Sequence, residues 1–191
     1  SFFSSCRQFK EIDISKFDFR NVRDMSFMFY ECSLLEKIEL GNMNTIRVEN
    51  MSSLFDQCNS LTSLDVSNFR TENVVDMSKM FQDCTKIKYL DVSEFNTNRV
   101  QNMSRLFEGC LGLTSLDVSR FGTSQVKDMT KMFEFLTLTS LDVSRFDTNN
   151  VIYMLDMFAD MKNIQSLDVS GFKTSNVKDM AGMFYNCKRL S

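Results

Sequence analysis

Two hydrophobic patterns alternate along the chain and predict two kinds of secondary structure. In residues 64–67, which read LDVS, apolar and polar side chains alternate as in a short strand whose leucine and valine face inward. Further along, apolar side chains recur at i, i+3, i+4 and i+7, the spacing of one face of a short helix. In residues 76–84 these positions are Met77, Met80, Phe81 and Cys84. Asp76 stands directly before them, where a helix N-cap is expected.

Both patterns belong to one repeating unit. The methionine that opens each predicted helix recurs at residues 25, 51, 77, 103, 129, 154 and 180, at intervals of 26 residues and once of 25. The shorter interval reflects one residue lost between Glu134 and Leu138. About seven copies cover residues 1–191, and we interpret them as a single repeat array. Neither end carries a visible cap, so we expect flanking repeats or caps in the full protein.

The repeat predicts the fold class. A unit with one short parallel strand and one short helix cannot bury enough apolar surface alone, whereas stacked units share a continuous core. The predicted fold is therefore an α/β solenoid, a coil of about seven units with one short parallel strand and one short helix in each. Because strands stack more closely than helices, the strand side should be concave.

Composition excludes several classes of function. The net charge is −3 and basic residues are scattered among acidic ones, so nucleic acid is not an expected partner. No apolar run approaches the roughly 18 residues that span a bilayer, so we expect no membrane insertion by this segment. The chain has no histidine, which removes Ser-His-Asp and Cys-His catalytic pairs, and it has no glycine-rich phosphate loop. We expect no enzyme activity and no cofactor.

The sulfur-containing residues invite a metal or redox interpretation, but their positions favour packing. All six cysteines fall three residues after the phenylalanine of the predicted helix, and no C-x-x-C pair occurs. The fourteen methionines also occupy predicted core positions. We therefore expect buried thiols and thioethers with no metal.

An acidic residue follows the strand leucine or isoleucine in every unit. These residues are Asp13, Glu39, Asp65, Asp91, Asp117, Asp142 and Asp168. Stacked units would place their like charges about 5 Å apart, which needs compensation. Either the serine two residues on, or a neighbouring backbone amide, donates a hydrogen bond to each carboxylate, or the stripe binds cations or a basic partner. The sequence leaves both explanations open.

A function specific to this chain should lie where the units differ. Around Val151 the outer positions of the predicted helix hold Ile152, Tyr153 and Leu155 where sister units have mostly polar residues. Phe135 and Leu136 lie beside the deletion one unit earlier. These five residues either form an exposed apolar patch that binds a partner or fill a gap left by the shortened loop.

The complete unit, L-x-x-L-D-V-S-x-F-x-T-x-x-V-x-x-M-x-x-M-F-x-x-C, resembles the repeat of BspA-family leucine-rich repeat surface proteins. The segments LTSLDVSNF and NVVDMSKMF carry the resemblance, which extends over the whole chain. Gly41-Asn42-Met43 in place of S-x-F departs from the unit. The resemblance implies a right-handed, leucine-rich-repeat-like solenoid, a bacterial cell-surface or extracellular location, and a role in adhesion or recognition. It implies no catalytic residues.

Two hypotheses follow. The first is a non-catalytic, monomeric surface module that binds a protein or glycan ligand, host-derived ligands included. The second is a structural scaffold or spacer within a larger assembly.

Overall fold

A computed structural model describes residues 2–191 of the chain. We number seven units by their ranges: 9–34, 35–60, 61–86, 87–112, 113–137, 138–163 and 164–189. Strand β1 spans Glu11–Asp13 in unit 1 and strand β2 spans Lys37–Glu39 in unit 2. They pair in parallel, with Ile12 opposite Ile38. These two units carry β-branched isoleucine where later units carry leucine, which favours strand geometry here.

A second line of parallel pairing runs through all seven units, at the residue before the first methionine. Single bridges join residues 24, 50, 76, 102, 128, 153 and 179 in order. Six of these residues are Asp or Asn, and the side-chain Oδ1 of each accepts the backbone amide two residues on at 2.8–3.0 Å. The exception is Tyr153, whose side chain has no such acceptor.

The segment that the sequence predicts as a helix is a series of turns. In unit 3 Lys79 and Asp83 have positive φ angles of 59° and 55°, in the left-handed region. The same two positions are left-handed in every unit, and Gly109 and Gly182 occupy two of them. Since a right-handed helix cannot continue through a left-handed residue, it is interrupted every four residues.

Backbone amides in this segment alternate between two kinds of acceptor. The amide of Phe81 donates to the carbonyl of Leu106 in the next unit at 3.1 Å, and Met77 donates in the same way to Asn102 at 3.0 Å. The intervening Met80 amide donates to the carbonyl of Met77, three residues back, at 3.2 Å. Half of the amides therefore join neighbouring units, and the other half close turns.

The predicted α/β solenoid with one strand and one helix per unit is wrong. Residues 2–191 contain no helix, and their only strands are β1 and β2. The expected leucine-rich-repeat solenoid is therefore not the structure observed. The i, i+3, i+4, i+7 spacing does bury one face, but left-handed residues and inter-unit hydrogen bonds produce that face without a helix.

The core consists of columns in which equivalent side chains of successive units touch. Phenylalanine rings 3, 29, 55, 81, 107, 133, 158 and 184 stack in order, with centroids 5.4–6.0 Å apart and planes within 9° of parallel. Methionines flank this column and are buried except for Met180, near the end of the chain. The prediction that the methionines and cysteines pack in the core is confirmed except for Met180, which is exposed, and Cys6 and Cys187, which are half-buried.

Two polar columns link the units inside the core. Buried threonines 45, 71, 97, 123 and 148 donate their hydroxyl hydrogen to a backbone carbonyl of the following unit at 3.0–3.2 Å. The thiols of Cys32, Cys58, Cys84, Cys110 and Cys187 donate to a phenylalanine carbonyl of the preceding unit at 3.0–3.2 Å. These side chains therefore satisfy buried backbone groups between units.

Candidate functional site

The acidic stripe is exposed, and each of its aspartates has a local hydrogen-bond donor. In the six units with aspartate, Oδ1 accepts the amide of the serine two residues on at 2.8–3.0 Å. The hydroxyls of Ser67, Ser144 and Ser170 donate to the same oxygens at 2.6–2.7 Å. Glu39 instead pairs with Lys37 at 2.9 Å. The hydrogen bonds from serine or a backbone amide, which the sequence offered as one explanation of the stripe, are thus present for the six aspartates.

These bonds also determine the ionisation of the stripe. Hydrogen bonds from serine lower the pKa values of the six aspartates below their ordinary value of 3.8. Repulsion from a neighbouring carboxylate raises the pKa of Asp65, Asp117 and Asp168, but this effect is smaller than that of the serine bonds. The six aspartates are therefore anionic at neutral pH, and binding of cations or a basic partner to the stripe stays a prediction.

The predicted apolar patch is only partly at the surface. Tyr153 is 43% exposed, whereas Ile152 and Leu155 on either side of it are half-buried. Phe135 is 40% exposed, but it lies at a left-handed turn of unit 5, seven positions further along the unit than Tyr153. Leu136 is fully buried, so it cannot form part of an exposed patch. It fills the core position that cysteine holds in most units, because the deletion follows it directly.

The surface around Tyr153 is apolar in the middle and polar on both sides. Lys127 and Lys178 are exposed above and below Ile152, and the amide of Ile152 donates to the Lys127 carbonyl at 2.8 Å. In unit 7 Ala181 stands opposite Leu155, where most units have serine or threonine. Unit 6 therefore interrupts a polar ladder with a tyrosine and two aliphatic side chains, which we call the unit 6 patch: Ile152, Tyr153 and Leu155.

A buried charged column escaped the sequence analysis. Asp56, Glu108 and Glu134 directly follow the stacked phenylalanine and are at most 7% exposed. Glu108 pairs with Arg105 at 2.9 Å, and Glu134 pairs with Lys131 at 2.9 Å. Asp56 forms no ion pair within the described residues, and its Oδ1 has no hydrogen-bond partner there. Burial raises its pKa to about 6. Tyrosine, glutamine or alanine holds this position elsewhere, so no regular acidic pattern signalled the column.

The buried thiols have low reactivity, because burial disfavours the thiolate form. All six cysteines are free, and burial raises the pKa of Cys32 to about 11 and those of Cys58 and Cys84 well above 9.0. No cluster of three or more His, Cys, Asp or Glu side chains within residues 2–191 is arranged to hold a metal ion. Over the same residues, no helix is long and apolar enough to cross a membrane.

Comparison with known proteins identifies the family. No curated protein sequence and no solved structure matches the chain. A family model described as "Mycoplasma protein of unknown function, DUF285" matches residues 1–116 and again residues 111–191. Together the two matches cover the chain from end to end. The chain therefore belongs to the DUF285 family of mycoplasma proteins.

Proposed function

We propose that the chain is a non-catalytic recognition module displayed at the cell surface, where it binds a protein or glycan ligand of host origin. The resemblance of its repeat to BspA-family surface proteins supports this location and role. The observation that carries the proposal is the unit 6 patch. In a column where six units use Asp or Asn to hold their own backbone, unit 6 exposes Tyr153 instead.

The exchange of Asp or Asn for tyrosine costs unit 6 a local hydrogen bond. A side-chain hydrogen bond to a backbone amide stabilises a fold by about 0.5–1.5 kcal/mol, and unit 6 forgoes it at Tyr153. Tyr153 is 43% exposed and Leu155 is half-buried, so neither side chain gains the full stabilisation of complete burial. A binding role explains why unit 6 departs from a pattern that stabilises the other units.

The test of the proposal replaces the unit 6 patch by the residues that unit 5 has at the same positions. The triple variant Ile152→Lys, Tyr153→Asp, Leu155→Thr introduces the residues that unit 5 carries at these positions, so it should fold as well as the original chain. Binding to immobilised extracellular matrix proteins and a glycan array is measured for both chains by surface plasmon resonance. We expect the variant to lose at least tenfold in affinity while its melting temperature stays the same or rises. Equal binding by both chains would refute the unit 6 patch as the site.

The alternative function is a structural scaffold or spacer. The observation that favours it is the use of the threonine, cysteine and Asx columns in contacts between units, which leaves them unavailable to a partner. A scaffold predicts that neither chain binds any immobilised macromolecule. Antibodies against the chain, applied to intact cells, test the surface location directly, and labelling only after lysis would refute it.

A further inference from the structure

An open groove of about 830 Å³ crosses units 2, 3 and 4 at the turn that follows the acidic stripe. Its polar lining comes from equivalent turn positions of the three units. These side chains are Asn42, Asn44, Asn68, Arg70, Glu94 and Asn96, and we call the feature the asparagine groove. Buried Met43 and Phe69 form its floor.

The groove lies where unit 2 departs from the repeat. Unit 3 reads Ser67-Asn68-Phe69 at this turn, whereas unit 2 has glycine first and Met43 third. Gly41 has a φ of +62°, and a Cβ atom there would lie 2.7 Å from the Cα atom of Ser15. Only glycine allows unit 2 to lie this close to unit 1, on the side away from unit 3.

The asparagines present free donors and acceptors to the groove. Asn42 and Asn68 are exposed, and their side chains form no hydrogen bond with the described residues. Asn44 and Asn96 each accept one local backbone amide, at 3.1 and 3.2 Å, so their NH₂ groups remain free. A carboxamide donates and accepts side by side, which matches the paired hydroxyl groups of a sugar ring.

The charges in the groove are compensated within the protein. Arg70 pairs with Glu72 at 3.1 Å, and Arg120 lies 3.9 Å from Glu94. A charged ligand would therefore find no unpaired opposite charge in the groove. A neutral ligand needs no such partner. The rings of Phe69 and Phe95, at equivalent positions of units 3 and 4, have centroids 6.4 Å apart, so successive units present equivalent side chains to successive parts of an extended ligand.

We propose that the asparagine groove binds a neutral oligosaccharide, with successive sugar rings contacting successive units. The inference rests on the proposed recognition function and specifies a ligand class and a site for it. It concerns units 2–4, whereas the unit 6 patch lies on other residues. The two sites can therefore be tested separately with the same chain.

The experiment titrates the ¹⁵N-labelled chain with cellohexaose, maltohexaose and chitohexaose, and with a heparin-derived hexasaccharide and an uncharged extended peptide as comparators. Side-chain amide signals of asparagine report directly on the groove. We expect saturable shifts for Asn42 and Asn68 with at least one neutral hexasaccharide and none with heparin or the peptide. The double variant Asn42→Ala, Asn68→Ala should weaken that binding at least tenfold. Gln125→Ala, an exposed amide of unit 5, should leave it unchanged.

Each other result decides against the groove. Absence of shifts with all three neutral hexasaccharides, shifts that the double variant does not weaken, or a preference for heparin or the peptide would overturn the proposal. If the chain still binds matrix proteins or arrayed glycans through unit 6, the recognition function stands and only the groove fails. If it binds no macromolecule and no hexasaccharide, both fail.

Discussion

Replacing Asp56 with asparagine should make the protein more stable at neutral pH. The carboxyl is 3% exposed, and one of its oxygens has no partner among the described residues. Its pKa of about 6 reflects first the cost of burying its charge, which a hydrogen bond from Ser53 partly offsets, and then repulsion from Asp83 and Glu108. The positive charge of Lys79 attracts the Asp56 carboxylate and partly offsets the rise in its pKa. The negative charge of Asp56 also acts on Tyr30 of the preceding unit. Asparagine keeps the shape of the side chain and removes the charge.

The size of the effect follows from the pKa. Because the folded value of about 6 exceeds the ordinary 3.8, the folded state binds this proton more tightly than the unfolded state. Its contribution to stability is complete below pH 3.8 and is lost as the pH rises through 6. A difference of about 2 pKa units amounts to about 3 kcal/mol well above pH 6. Roughly 2 kcal/mol of this change falls between pH 4.5 and pH 7.

The assay is urea unfolding of both chains at several pH values from 4.5 to 8. We expect the free energy of unfolding of the original chain to fall as the pH rises from 4.5 to 7. In Asp56→Asn this fall should be smaller by about 2 kcal/mol. Asp65→Asn is the control, because the pKa of Asp65 is lowered and its stabilising effect is lost only below the range assayed. A pH slope that is the same in Asp56→Asn and the original chain would refute the reasoning.

Three further predictions concern the columns. Phe81→Ala should lower the free energy of unfolding, measured in urea, by about 3–5 kcal/mol, because it removes a fully buried ring stacked between two others. A loss below about 1 kcal/mol would contradict the phenylalanine column. Phe9→Ala, at an exposed ring, is the control. Thr71→Val should cost about 1–3 kcal/mol by leaving the amide and carbonyl of Asn96 unpaired, and no loss relative to Thr71→Ser would contradict that contact. A thiol reagent should label only the half-buried Cys6 and Cys187 in the native chain and all six cysteines in urea; rapid native labelling of Cys84 would contradict its burial.

The sequence predicted the register and the core but not the backbone path. Met77, Met80, Phe81 and Cys84 are all fully buried, as their spacing indicated. The same spacing fits any segment that turns about once every four residues, so periodicity alone does not distinguish a helix from turns with left-handed residues. Lys79 and Asp83 carry little sequence signal for positive φ. The useful signal was the glycine at the equivalent positions of units 4 and 7.

In the candidate sites too, contacts between residues close in sequence could be predicted, whereas features formed by several units could not. Bonds from serine to the acidic stripe follow from residues two apart, so the sequence could propose them. Leu136 lies three residues after Phe133, at the position that cysteine holds in most units, so the repeat indicates its burial and only the exposed-patch interpretation missed it. The asparagine groove is lined by turn residues of three different units, so only the fold shows that these side chains share one surface.

The central claim is that this segment joins neighbouring units through its backbone instead of forming a helix. Nuclear magnetic resonance can detect scalar coupling across a hydrogen bond between an amide nitrogen and the carbonyl carbon that accepts its proton. The structure predicts coupling from the Phe81 amide to the Leu106 carbonyl, 25 residues away, across a hydrogen bond of 3.1 Å. Coupling from the Phe81 amide to the Met77 carbonyl, four residues back as in an α-helix, would contradict the account.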